Sequence, residues 1–92
     1  MAGPRYIADP PEQMRAVELD GLTALYHRPS GLTHILAPPA PEILHVLAGK
    51  AADAGEIVTR ISADFELEAE DPESAIGSRL AELEAAGLVR RA

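Results

Sequence analysis

Cysteine is absent from the 92 residues. That excludes disulfides, zinc–thiolate centres and thiol catalysis, and it fits a reducing cytoplasm. Aromatic residues are scarce, with two Tyr, one Phe and no Trp, so the chain offers neither a base-stacking platform nor an aromatic-rich binding hot spot. Positive charge is also short: 8 Lys and Arg stand against 15 Asp and Glu, a formal net charge of -7. Such a surface repels nucleic acid phosphates and anionic membranes and suits a basic or apolar partner. No apolar run approaches membrane-spanning length, and no basic-then-apolar segment opens the chain, so a cytoplasmic location is expected.

The length suits one domain with one core. Residues 1–14, with Pro4, Pro10 and Pro11, read as a flexible N-terminal arm, a loose tail unless Tyr6 and Ile7 dock on the domain. Residues 15–92 form the expected domain. Its first strand spans 15–19, with Val17 and Leu19 alternating against polar neighbours. Asp20-Gly21 is a two-residue hairpin turn, because both residues tolerate positive φ. The second strand, 22–27, is rich in β-formers. Pro29-Ser30-Gly31 makes the next turn, and residues 32–36 make the third strand, stopped by Pro38-Pro39. The turns predict an antiparallel meander.

Three helices follow. One spans 41–48, with Ile43, Leu44 and Leu47 on one face and Gly49 as its stop. The next opens on a capping box, Asp53 with Glu56, and runs to about Phe65, burying Ile57, Val58, Ile61 and Phe65. An acidic linker spans 67–71. Asp71-Pro72 then starts a third helix, with an N-cap acceptor followed by proline at the first position. Its buried stripe is Ile76, Leu80 and Leu83. Gly87 ends it, Leu88 and Val89 tuck back, and Arg90 and Arg91 form a polar finish. The fold class is α+β, winged-helix-like, with the order βββααα: a three-stranded antiparallel sheet followed by a three-helix bundle.

Chemistry-bearing motifs are few. His27 and His34 flank one hairpin turn, but no third ligand accompanies them and no metal site is expected. Ser30, Ser62, Ser74 and Ser78 lack a nucleophile-elbow context, and there is no glycine-rich phosphate loop. The run Glu66, Glu68, Glu70, Asp71 and Glu73 reads as a solvated linker and cap. No enzyme signature and no cofactor are expected. The third strand is different. Leu32, Thr33, His34, Ile35 and Leu36 include no Lys, Asp, Glu or Pro, so nothing in the strand forbids another strand from pairing with its edge. In β-augmentation, main-chain bonds supply affinity and alternate side chains read the guest.

The string Pro29-Ser30-Gly31-Leu32-Thr33-His34-Ile35-Leu36, the first helix with Ile43, Leu44, Leu47 and Gly49, and the ending Leu80-Ala81-Glu82-Leu83-Glu84-Ala85-Ala86-Gly87-Leu88 resemble the PqqD-like family. Those proteins are also called RiPP recognition elements. The Gly-x-Thr-His-x-Leu string is similar to the branch of HPr-rel-A system PqqD family peptide chaperones. The chain departs from that pattern at Ala37, where Asn is common, and at Arg79, where a bulky apolar residue is common. The resemblance implies a non-catalytic chaperone that binds the leader segment of a precursor peptide and presents it to a modifying enzyme or an HPr-kinase-related protein. The guest would add as a strand beside Leu32, Thr33, His34, Ile35 and Leu36, in a groove shared with the third helix. The helix flank carrying Ala75, Arg79, Glu82 and Ala86 is chosen over the one with Gly77 and Glu84, and an acidic group of the guest is expected against Arg79. An open edge also allows self-pairing, so a monomer or an edge-strand dimer is expected. Two alternatives stand beside this reading: a winged-helix DNA-binding regulator, and a phosphoacceptor acting through Ser30 or His34.

Overall fold

Asp20 and Gly21 both adopt positive φ, 47° and 79°, the backbone of a two-residue turn whose twist matches the flanking strands. In the computed structural model, which describes residues 3–63 and 70–92, this turn joins β2 (Met14–Leu19) to β3 (Leu22–His27). A second turn, with Gly31 at φ 71°, leads into β4 (Leu32–Leu36). The three strands form an antiparallel sheet in the order β2-β3-β4. Three helices follow: α1 (Ala40–Leu47), α2 (Ala54–Ser62) and α3 (Pro72–Ala85). The α+β arrangement is the one expected from the sequence.

The helix boundaries follow local chemistry. At α2 the Asp53 carboxylate accepts from the Glu56 amide at 2.9 Å, and Glu56 accepts from the Asp53 amide at 3.2 Å, a reciprocal capping box. At α3 the Asp71 carboxylate accepts from the Ser74 amide, with Pro72 at the first helical position. Helix α1 begins and ends one residue before the expected 41–48, followed by Gly49 at φ 70°. Helix α2 ends at Ser62; Phe65 and most of the acidic linker lie outside the described residues.

Two strands add to the expected order. Within the stretch read as an arm, Tyr6–Ala8 forms β1, and Val89–Arg91 at the C-terminal end forms β5. They pair antiparallel, Tyr6 with Arg91 and Ala8 with Val89, as a separate two-stranded sheet. Tyr6 also exchanges backbone hydrogen bonds with Ala52. Tyr6, Ala8 and Val89 are buried. Burial of three apolar side chains and a shared ladder offset the entropy of ordering these ends, which the prolines nearby obscured.

The core lies between the helices and both chain ends. Ile43, Leu44 and Leu47 of α1, Ile57 and Ile61 of α2, and Ile76, Leu80 and Leu83 of α3 are all buried with Leu88. From the sheet, Leu25 joins them, and Met14 and Leu36 lie partly buried against the cluster. Cross-strand partners share a face. Leu25 pairs with Ala16 on one side and His34 on the other, which makes Met14, Ala16, Leu25, His27, His34 and Leu36 the inner face. Val17, Leu19, Leu22, Ala24, Tyr26, Thr33 and Ile35 form the outer face. Val17 and Leu19, the apolar alternation of the first strand, therefore point outward and are 50% and 53% exposed.

Candidate functional site

Among the described residues, β4 pairs only with β3. The phase of that ladder determines what its free side presents. A two-residue turn makes Leu19 and Leu22 a mutually hydrogen-bonded pair, and bonded and non-bonded pairs then alternate. Leu22, Ala24 and Tyr26 thus direct their backbone groups to β2, while Thr23, Leu25 and His27 direct theirs to β4. Their partners on β4 are Leu36, His34 and Leu32. The remaining residues, Thr33 and Ile35, turn their N–H and C=O groups away from the sheet. These are the groups a further strand would bond.

The inner side of this edge faces α3 across an open groove of about 230 Å³. Ile35, Leu36, Ala37, Pro38 and Ala40 line one wall; Arg79, Glu82, Leu83 and Ala86 line the other. Of the expected helix positions, Arg79, Glu82 and Ala86 border the groove, while Ala75 does not. Of the expected strand positions, Ile35 and Leu36 border it. Thr33 lies on the outer face, and Leu32 is 57% exposed at the start of the strand. His34 turns inward, and its Nε2 is buried with no hydrogen-bond partner among the described residues. Ala37, Pro38 and Ala40 were not among the expected binding positions. Pro38, read in the sequence as part of a stop, also lines the groove where β4 turns into α1.

The two flanks of α3 face different neighbours. Glu84, on the flank set aside, lies 3.4 Å from the Arg91 guanidinium of β5. The other flank carries Arg79 paired with Glu82 at 2.9 Å, with Arg79 45% exposed. An exposed pair of this kind holds the two side chains weakly, within about 1 kcal/mol. Arg79 is therefore available to exchange partners at little cost. The wall is otherwise apolar or small, so a backbone can approach it closely.

A second cluster escaped the sequence reading because one member lay in the stretch taken as an arm. His27 is buried; its Nε2 lies 2.7 Å from the Asp9 carboxylate and its Nδ1 lies 2.8 Å from the Ser30 hydroxyl. Asp9 also accepts from Arg90 at 3.3 Å. Acid, imidazole and hydroxyl stand in the order of a nucleophilic triad, but the amides beside Ser30 are committed. Gly31 donates to the His27 carbonyl at 2.8 Å, and Leu32 donates to the Ser30 hydroxyl at 3.3 Å. The paired donors that would hold an oxyanion are therefore not offered by these amides. The cluster fastens β1 and β5 to the turn that feeds β4. It also gives His27 partners of its own, so it does not converge with His34. Among the described residues, no three His, Cys, Asp or Glu side chains come together as a metal site.

The geometry of edge and groove can be compared with solved structures. A chain solved as TbiB1 in complex with the TbiA(β) leader peptide matches with a TM-score of 0.59 and 22% identity, over 89% of this chain and 94% of that one. The chain is similar to TbiB1 in fold. No protein-family model matches the sequence, and no curated protein matches it. The likeness to TbiB1 therefore speaks for the architecture.

Proposed function

We propose that this chain is a peptide-binding adaptor of the RiPP recognition type. It takes the leader segment of a ribosomally made precursor peptide as an added strand on β4. The observation that carries this reading is the open β4 edge above the α3 groove, in a fold shared with a chain solved bound to a leader peptide. Backbone groups of Thr33 and Ile35 hold the guest main chain, and alternate guest side chains enter the groove between Leu36 and Ala86. Leu32 and Ala75 extend the path beyond the groove, and His34 supports the strand from within. Arg79 exchanges Glu82 for an acidic side chain of the guest. The chain works in the cytoplasm; as the PqqD-like resemblance implies, it acts without catalysis and hands its guest to a modifying enzyme or an HPr-kinase-related protein. Residues 15–92 carry the binding function.

The test is a chemical-shift map of isotope-labelled protein titrated with candidate peptides encoded beside its gene. Saturable shifts concentrated in β4 and along Arg79, Glu82 and Ala86 are expected. Retention on DNA at low salt with no response to any peptide would instead favour the regulator.

A further inference from the structure

The sheet has a second open edge. Among the described residues, β2 pairs only with β3. The alternation that frees Thr33 and Ile35 on β4 leaves the backbone groups of Met14, Ala16 and Glu18 directed outward on β2. Along this edge runs a trough between the inner face of the sheet and α1. Glu18 and Glu42 border its end near the Asp20 turn. Met14, Ala16 and Leu44 border its middle. Lys50 and Arg60 border its far end. On the outer face, Val17 and Leu19 of the same strand are half exposed. An edge with apolar side chains on both faces is a pairing site unless something covers it.

The charges of the trough specify the strand that fits. A strand antiparallel to β2 runs from the Glu18–Glu42 end to the Lys50–Arg60 end. It needs a carboxylate late in its course, on the face turned to the helices. β2 itself has this pattern: it is uncharged on the inner face until Glu18. We propose that a second copy of this chain pairs with β2 through its own β2, about a twofold axis normal to the sheet. Residues opposite one another across an antiparallel ladder share a face, so Ala16 lies opposite the second copy's Ala16, and Met14 lies opposite the second copy's Glu18. Each Glu18 then reaches the other copy's Lys50 and Arg60. Arg60 also lies 3.7 Å from its own Glu56, so the incoming carboxylate completes a cluster rather than replacing a strong pair. Arg15 falls opposite Val17, and no like charges face one another. The contact is isologous and closes on itself. It makes one sheet of six strands and leaves both β4 edges open at its margins, about 24 Å apart at ordinary strand spacing.

Sedimentation velocity over a concentration series tests this, and the dimer is expected to appear in the unaltered protein. Glu18→Lys is expected to weaken it at least tenfold, and the charge-swapped triple variant Glu18→Lys, Lys50→Glu, Arg60→Glu is expected to restore it. Because the chain has no cysteine, Ala16→Cys is expected to cross-link under oxidation, while Thr33→Cys on β4 is expected to leave the dimer without a cross-link. A protein that remains monomeric at about 1 mM, the concentration scale of the weakest specific contacts, would overturn the proposal. So would a dimer indifferent to Glu18→Lys that cross-links through Thr33→Cys. The monomeric outcome leaves peptide binding at β4 untouched, whereas a dimer through Thr33 would place a second copy on the edge proposed for the peptide.

Discussion

Proline placed at Thr33 separates strand addition from every other use of this edge. The ladder phase turns the Thr33 amide away from β3, so a proline there removes no bond within the sheet. The exposed side chain is lost at small cost, and stability is expected to change by about 1 kcal/mol or less. A guest strand loses the amide donor, meets the ring, and leaves its own carbonyl unpaired, a combined cost of about 1–3 kcal/mol. Affinity for the peptide should fall by about 5-fold to 150-fold. The neighbouring substitution, His34→Pro, should do the opposite. Its amide bonds to Leu25 inside the ladder, and Leu25 is buried. Loss of that bond and an orphaned carbonyl cost about 2–4 kcal/mol, and each kcal/mol corresponds to about 4–8 °C in a domain of this size. Thermal melting followed by circular dichroism reads the stability, and fluorescence anisotropy of a labelled peptide reads the affinity. If Thr33→Pro and His34→Pro destabilise the fold equally, the ladder phase is wrong. If Thr33→Pro melts normally and binds as before, the β4 edge is not the site.

Further outcomes test the supports of the site. Leu80→Ala, at a fully buried position on α3, should cost about 2–5 kcal/mol in chemical denaturation, by lost burial and the cavity left behind. Gly31→Ala should cost about 1–2 kcal/mol, because φ is 71° and a β-carbon there meets nothing within 4 Å, so the penalty is purely conformational. Asp53→Ala removes half of the capping box and should cost about 1 kcal/mol, seen as a shifted denaturation midpoint with an unchanged slope. Arg79→Glu should leave stability within about 1 kcal/mol, since its pair with Glu82 is exposed. It should still weaken a peptide that bears an acidic group at the groove, most visibly at low salt.

Much of the local structure was legible because single residues dictate it. Asp20-Gly21 and Gly31 demand positive φ, Asp53 with Glu56 announces a helix start, and Asp71-Pro72 announces another. The stripe Ile76, Leu80 and Leu83 has the spacing of one helix face, and it is buried. Alternation was less decisive. Val17 and Leu19 alternate as a buried strand would, yet the register opposite Ala24 and Leu22 puts them outside. A period of two reports that two faces exist, not which one meets the helices. Terminal strands were illegible for a related reason: Tyr6–Ala8 is too short to show a period, and its partner Val89–Arg91 lies at the far end of the chain.

By itself, then, the sequence determined the α+β order, the turns, the caps and a third strand with no charge or proline to guard its edge. These follow from backbone preferences and spacing, which act over a few residues. The tertiary structure alone decided that β1 and β5 close the chain ends together, and that Asp9 meets His27. It also decided that Arg79 and Glu82, rather than Glu84, turn toward β4. Each of those depends on groups distant in sequence being brought within bonding reach, as when Arg91 takes Glu84 and leaves the other flank of α3 to the groove.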